Sequence, residues 1–306
     1  MEAPWLKIVV RDGKMPMALA QMVVAAGPPK RIGFEANFTT VGQVDALKRA
    51  LTEAGAAKVE LVPLENVMTN IRRIKDDREV ELTRKSIEIA QEAFTAILPL
   101  VKVGQSEGYI AGSLIFEMKS RGASEGSFPA IVAAGTNSSL PHYRTGDREV
   151  LIKPDQPFLI DWGAMYRGYC SDLTRTLMIG QVGARLKRIY KVVLEAQEAA
   201  IAFLRPGVSN LQADRVARGV IEKAGFGDYF GHGLGHGIGR AIHELPQLGK
   251  HAKEEELQPG MIVTVEPGIY LPGEGGVRIE DDVLITHSGC EVLTTLDKSF
   301  EGCHLE

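Results

Sequence analysis

The chain repeats itself. Residues 98–106, LPLVKVGQS, are echoed by AFLRPGVS near residues 202–209. Each segment ends a helical run, turns at a glycine and offers a serine, whose side-chain oxygen can cap the free N–H groups of a following helix. Gly104 aligns with Gly207, an offset of 103, and the same offset carries Gly122 onto Gly225. Both of the later glycines stand where a helix would stop, because glycine adopts the left-handed conformation past a helix end at little cost. Strand-like runs follow each predicted helix pair. They are FPAIVAAG and PFLIDWGAMYRGYCSDLTRTLMIG in the first half, MIVTVEPGIYL and GGVRIEDDVLIT in the second. Two halves that each read helices and then strands predict an α+β class, with antiparallel strands and helices covering one face.

Ahead of the repeat, WLKIVV (5–10) and KVELV (58–62) read as short strands from their β-branched content. Between them VGQVDALKRALTEAG reads as a helix closed by Gly55. This is a small α/β unit without an obvious core of its own. The charged stretch NIRRIKDDREVE then leads into a long helix with Val80, Ile87, Phe94 and Ile97 near helical spacing. The expected organisation is a small unit over 1–73, a duplicated domain over 74–300 and a tail over 301–306.

Composition excludes several functions. A net charge of −4 and a pI near 6.0 argue against a nucleic-acid surface, which would carry a basic excess. No apolar run reaches 18 residues, so no membrane span is expected, and LKIVV is too short for a signal-peptide core. Three cysteines, Cys170, Cys290 and Cys303, lack CxxC spacing and do not suit a disulfide framework. The first two read as buried thiols and the compartment as the cytoplasm.

Chemistry enters with the acids. DWGAMYRGYCSD gives Asp161 and Asp172 on either side of a turn, and a hairpin would bring them to one end of paired strands. TVEPG gives Glu266 and VRIED gives Glu280. The offsets, 105 from Asp161 to Glu266 and 108 from Asp172 to Glu280, lie close to that of the helices. A pseudo-twofold arrangement would bring all four together, three of them inside otherwise apolar strands. Read singly, each is more commonly a solvated strand-end residue, and Asp172 could pair with Arg175. Four matched acids reverse those odds. Buried together they would repel unless neutralised, and two divalent cations balance their charge. An imidazole, best supplied by His236, makes a mixed oxygen and nitrogen set suited to Mn²⁺, Co²⁺, Fe²⁺ or Zn²⁺ rather than Ca²⁺.

His236 lies in GHGLGHGIG (231–239), followed by RAIHELP with His243. A phosphate loop would read GxxxxGK[ST], and a dinucleotide loop would follow a strand within a βαβ unit; the segment does neither. Five glycines in nine residues argue against a helix. They leave room for backbone to pass close to metal and substrate. His142 stands in the loop NSSLPHYR of the first half.

Together these segments resemble the creatinase/methionine aminopeptidase family, of pita-bread fold, and within it the Xaa-Pro peptidases, prolidase and aminopeptidase P. The resemblance covers about residues 70–300. It implies two divalent metal ions, with Mn²⁺ or Co²⁺ preferred to Zn²⁺ or Fe²⁺, held by Asp161, Asp172, His236, Glu266 and Glu280. It assigns His142 and His243 to substrate and transition-state contacts, Glu266 to proton transfer, His232 to the pocket lining and Arg278 to support of the site. The expected substrate is a proline-containing peptide, with a homodimer compatible. Two other readings stay open: a methionine-aminopeptidase-like enzyme, and a catalytically silent peptide-binding relative. The second draws on the one departure from the family, an N-terminal domain that reads as truncated.

Overall fold

The computed structural model describes residues 6–306 and divides into two compact units, 1–71 and 72–306. In the first unit, helix α1 (Met15–Ala25) precedes a strand at Arg31–Glu35, helix α2 (Val41–Glu53) and a strand at Glu60–Leu64. The two strands pair in parallel, with α2 as their crossover. Thr40 and Gln43 form a capping box at the start of α2, and Gly55 beyond its end has φ +84°. The core here is small: Ala20, Ala50, Leu51 and Ala56.

Two sequence expectations shift. Residues 6–10 form no strand, and Trp5 lies outside the described residues. β-branched content alone cannot hold a strand that has no neighbour to satisfy its backbone, and Leu6, Ile8 and Val10 are exposed. The pairing strand is instead Arg31–Glu35, whose central Gly33 gives no side-chain signal. A Cβ there would meet Leu64 Cδ1 at 2.2 Å.

A short helix, α3 (Val67–Arg72), leads to the duplicated unit. Helix α4 (Asp77–Ile97) is capped by Asp76 and buries Ile87, Phe94 and Ile97. It packs along α5 (Glu107–Ser120), and α6 (Ala184–Phe203) packs along α7 (Asn210–Lys223). The repeat holds in detail. Ser106 and Ser209 cap α5 and α7, while Gly104, Gly122, Gly207 and Gly225 all have positive φ, between +80° and +101°.

Each helix pair accompanies a sheet. In the first half, strands Ile131–Ala134, Gln156–Trp162 and Leu173–Ile179 lie side by side and antiparallel. His304–Leu305, within the segment set apart as a tail, extends this sheet by pairing in parallel with Met178 and Ile179. In the second half the order is Glu244–Leu248, Gly235–Gly237, Ile262–Val265, Asp281–Ile285 and Cys290–Val292. An antiparallel bridge, Thr174 to Glu280, joins the two halves where the sheets meet.

Strand alternation aims the chemistry. Trp162 is fully buried, stacked on Phe94 of α4 with ring centroids 4.5 Å apart, and donates Nε1–H to Ala90 O at 2.9 Å. Such a ring pair adds about 1 kcal/mol beyond burial. Its neighbour Asp161 must therefore face the other side, away from the helices. The expected hairpin also forms, with Tyr166 opposite Tyr169 and both turn residues, Arg167 and Gly168, at positive φ. That is the backbone a two-residue hairpin turn needs. Among the acids only Asp161 lies within a strand; Asp172, Glu266 and Glu280 stand at strand ends.

Cys170 and Cys303 are buried and Cys290 is half-buried, so burial falls on the first and third thiols rather than the first two. No helix among the described residues is long and apolar enough to cross a membrane.

Candidate active site

All nine side chains singled out from the sequence line one cavity of about 550 Å³ in the second unit. Asp172, His236 and Glu280 each offer a ligand atom within 4.8 Å of the others. His236 Nε2 lies 3.5 Å from Asp172 Oδ2 and 3.5 Å from Glu266 Oε1. Its other nitrogen, Nδ1, donates to Gly237 O at 3.0 Å. That bond fixes the tautomer, leaving the Nε2 lone pair aimed at the acids.

Asp161 closes the group from the first half. Its Oδ2 accepts from Arg278 Nη2 at 2.5 Å, while its Oδ1 is buried without a partner. Glu280 is similar: Oε2 accepts from Thr174 Oγ1 at 2.6 Å and Oε1 is buried and unpartnered. Two orphaned carboxylate oxygens facing one cluster are costly unless something cationic meets them. Divalent metal fits this donor set.

The electrostatics agree. Burial pushes Asp161 above the usual carboxylate range, though Arg278 opposes it. Burial and then the charge of Glu280 raise Asp172 far more, and Glu280 is raised by burial and then by Glu266. Glu266 is pushed up to about 8 by burial, again with Arg278 opposing. Burial and then His243 lower His236 to about 4, so it is a neutral ligand at pH 7. Without added positive charge the acids cannot all ionise.

Arg278 organises the wall behind Asp161. Its Nε donates to Thr174 Oγ1 at 3.1 Å and its Nη1 to the Tyr270 hydroxyl at 2.9 Å. Tyr270 in turn lies 2.8 Å from His232 Nε2, whose Nδ1 bonds Gly233 O. His232, Tyr270, Arg278 and Asp161 thus form one hydrogen-bonded row. Arg278 also reaches Pro141 O at 3.4 Å, beside His142. His142 and His243 are the open members of the set, both exposed. The ring of His243 stands edge-on to His236 with centroids 4.3 Å apart.

Several contributors escape a reading of the sequence. Arg175 does not pair with Asp172. It is wholly buried and spends all five N–H groups on the Thr174, Glu280, Leu296 and Asp297 carbonyls and on Asp281 Oδ1 at 2.8 Å. Asp282 Oδ2 accepts from Asp172 N at 3.0 Å. Glu107, at the start of α5, accepts from Ala134 N, Asn137 and the Tyr143 hydroxyl, tying down the loop that carries His142. Glu107 stands at a helix start and Asp282 in a charged run, both of which look solvent-facing by composition, while Arg175 is a lone cation inside the strand Leu173–Ile179.

Two glycines of GHGLGHGIG are set against neighbouring backbone. A Cβ at Gly235 would lie 2.1 Å from Thr264 O, and one at Gly237 2.3 Å from Leu245 O. They let neighbouring backbone approach the His236 strand on its flanks.

Comparison with known proteins follows the same line. The family model described as metallopeptidase family M24 matches residues 81–287. The Xaa-Pro dipeptidase of Pyrococcus furiosus is 38% identical over 265 residues, covering 86% of this chain and 75% of its own. Among solved structures, an Xaa-Pro dipeptidase from Bacillus anthracis superposes with a TM-score of 0.92 at 39% identity, over 99% of this chain and 82% of its own. An X-Pro aminopeptidase from Thermotoga maritima gives 0.86 at 36% identity, over 95% and 80%.

Proposed function

The chain belongs to metallopeptidase family M24, and from that premise we propose that it hydrolyses the bond preceding proline, in Xaa-Pro dipeptides or at peptide N-termini. The observation that carries the reading is the single cavity that joins Asp172, His236 and Glu280 to Asp161 and Glu266, with His142 and His243 open to substrate. The relatives' specificity for Xaa-Pro supports the substrate class.

Asp161, Asp172, His236, Glu266 and Glu280 would hold two divalent ions. Mn²⁺ or Co²⁺ suits the mixed set. When bound, the metals polarise the scissile carbonyl and bring the pKa of water from ~15.7 towards 7. Glu266, whose Oε1 lies 3.5 Å from His236 Nε2, takes the proton from the attacking water at a carboxylate oxygen. His243 is held below its ordinary pKa by burial and then by His142, so its neutral N–H donates to the developing oxyanion. Such a donor contributes about 3 kcal/mol to the barrier. His142 lies at the proline side. Phe128, Ile131 and Ile242 add apolar lining to the same cavity, which suits the ring. An Xaa-Pro bond has no amide N–H, so a site that recognises the ring serves where strand-like recognition fails. The three free cysteines fit a reducing compartment, and we place the enzyme in the cytoplasm.

The test is a peptide panel assayed with Mn²⁺ or Co²⁺. Ala-Pro and Gly-Pro-Xaa should be cleaved at the bond before proline and Ala-Ala spared. Cleavage of Met-Ala-Xaa with Ala-Pro untouched would instead mark a methionine aminopeptidase.

A further inference from the structure

Lys75 is an ammonium sealed in the protein, its side chain wholly without solvent contact. It belongs to the charged run RRIKDDRE, and no part of the reaction above uses it. Its Nζ donates to Glu244 Oε2 at 3.1 Å and to Arg73 O at 3.4 Å. Glu244 is itself nearly buried, and its other oxygen, Oε1, accepts from Arg240 N at 2.8 Å and Ala241 N at 3.0 Å. The carboxylate therefore sits inside the turn 240–243, with one oxygen gathering the turn's backbone and the other bound to Lys75. Gly239 is shaped to this arrangement, since a Cβ there would come within 2.6 Å of Glu244 Oε2.

The turn ends in His243. Among the described residues no hydrogen bond holds the His243 ring, so its position depends on the backbone that carries it and on its edge contact with His236. Lys75 is anchored in turn by its own N–H, which donates to Gly260 O at 2.8 Å, and by the start of α4 that follows. We propose that Lys75 is a positioning residue: through the Glu244 carboxylate it fixes the turn that presents His243 to the substrate. A buried cation on a carboxylate that gathers two amides is a rigid strut, whereas Glu244 alone would be an uncompensated buried charge. The proposal rests on the reading of His243 as an oxyanion donor.

The experiment compares Lys75→Met, His243→Ala and the double variant on Ala-Pro with Mn²⁺, alongside metal content and amide exchange. Lys75→Met should lower kcat by on the order of 10–100-fold, leave KM within about twofold and keep the bound metal. Exchange at the Arg240 and Ala241 amides should quicken. In the His243→Ala background, Lys75→Met should cost no further rate, because its effect runs through that ring. A general structural role would add a further loss there. Should Lys75→Met not fold, Lys75→Met/Glu244→Gln removes both charges together and should show the same fall in kcat. Wild-type kcat in whichever of these variants folds, or a further loss in the His243→Ala background, overturns the inference alone. Wild-type kcat in His243→Ala overturns the reading beneath it as well.

Discussion

Thr174 and Glu280, one from each half of the repeat, meet at the junction: Thr174 Oγ1 donates to Glu280 Oε2 at 2.6 Å, and Glu280 N donates to Thr174 O at 3.2 Å. The side-chain bond uses one carboxylate oxygen and leaves Oε1 for the metal cluster. Thr174→Val keeps the shape and deletes the donor. It should weaken metal affinity by about 10–100-fold, the usual scale for a group that orients a ligand. Titration of metal-free protein with Mn²⁺ measures this, and an unchanged affinity would remove Thr174 from the site.

Ligands and substrate-facing histidines should separate cleanly. Asp172→Ala should lose bound metal, because Asp172 stands within reach of both His236 and Glu280. His243→Ala should keep metal and lose about 100-fold in rate, the worth of one oxyanion donor. Metal analysis beside steady-state kinetics decides between them. Equal metal loss in both variants would mean that His243 is a ligand.

The metal-free protein should lose stability as pH rises. Burial holds the carboxyls of Asp172, Glu266 and Glu280 above the ordinary range when folded. A raised carboxyl binds its proton more tightly in the native state, so stability falls with pH above its unfolded pKa. The fall should begin near pH 4 and, for Glu266, continue to about pH 8. Metal should therefore raise Tm more at pH 8 than at pH 5. A metal-free Tm that climbs over this range would show that the acids are not buried together.

Asp281 should act in the opposite sense. Burial alone would raise its pKa, but Arg175 and then Lys298 outweigh that and hold it low. Arg175 approaches Oδ1 at 2.8 Å, and Gln197 and Lys298 approach Oδ2 at 2.7 and 2.8 Å. The stability this carboxylate provides is present above its unfolded pKa, about 4, and is lost as pH falls through its lower folded value. Asp281→Asn should cost about 3–5 kcal/mol at neutral pH, because it leaves Arg175 buried without its charge. It should also flatten the acid limb of a denaturation curve, which urea melts at several pH values would reveal.

Glu107→Gln should loosen the loop of His142 without touching metal. Its carboxylate gathers Ala134 N, Asn137 and Tyr143 at 2.6 to 2.9 Å. An amide can accept at only one of its two ends, so a donor is left unmatched at a cost of about 1–3 kcal/mol. KM for Ala-Pro should rise several-fold while metal content holds. Unchanged KM and kcat would detach this loop from substrate binding.

What the sequence makes legible follows from what repeats. Helix pairs, capping serines and stop glycines recur at one offset, and Asp161, Asp172, Glu266 and Glu280 recur near it, so both the duplicated fold and the acidic cluster can be read from spacing. Interactions with no counterpart in the other half cannot. Lys75 finds Glu244 from 169 positions away, and Glu107 finds Tyr143 across a loop; in the chain both look like solvated charges. Tyr270 reads as one more strand residue in EPGIYL, yet it links His232 to Arg278. Gly235 and Gly237 announce a close approach but not which backbone makes it. The strand at Arg31–Glu35 was hidden by Gly33, which has no side chain to pattern.

The most direct test of the account is the rate of Ala-Pro hydrolysis as Mn²⁺ is returned to EDTA-treated protein. The account predicts no cleavage without metal and recovery that saturates at about two equivalents per chain, the number that balances four buried carboxylates. Full activity in the metal-free protein would contradict it.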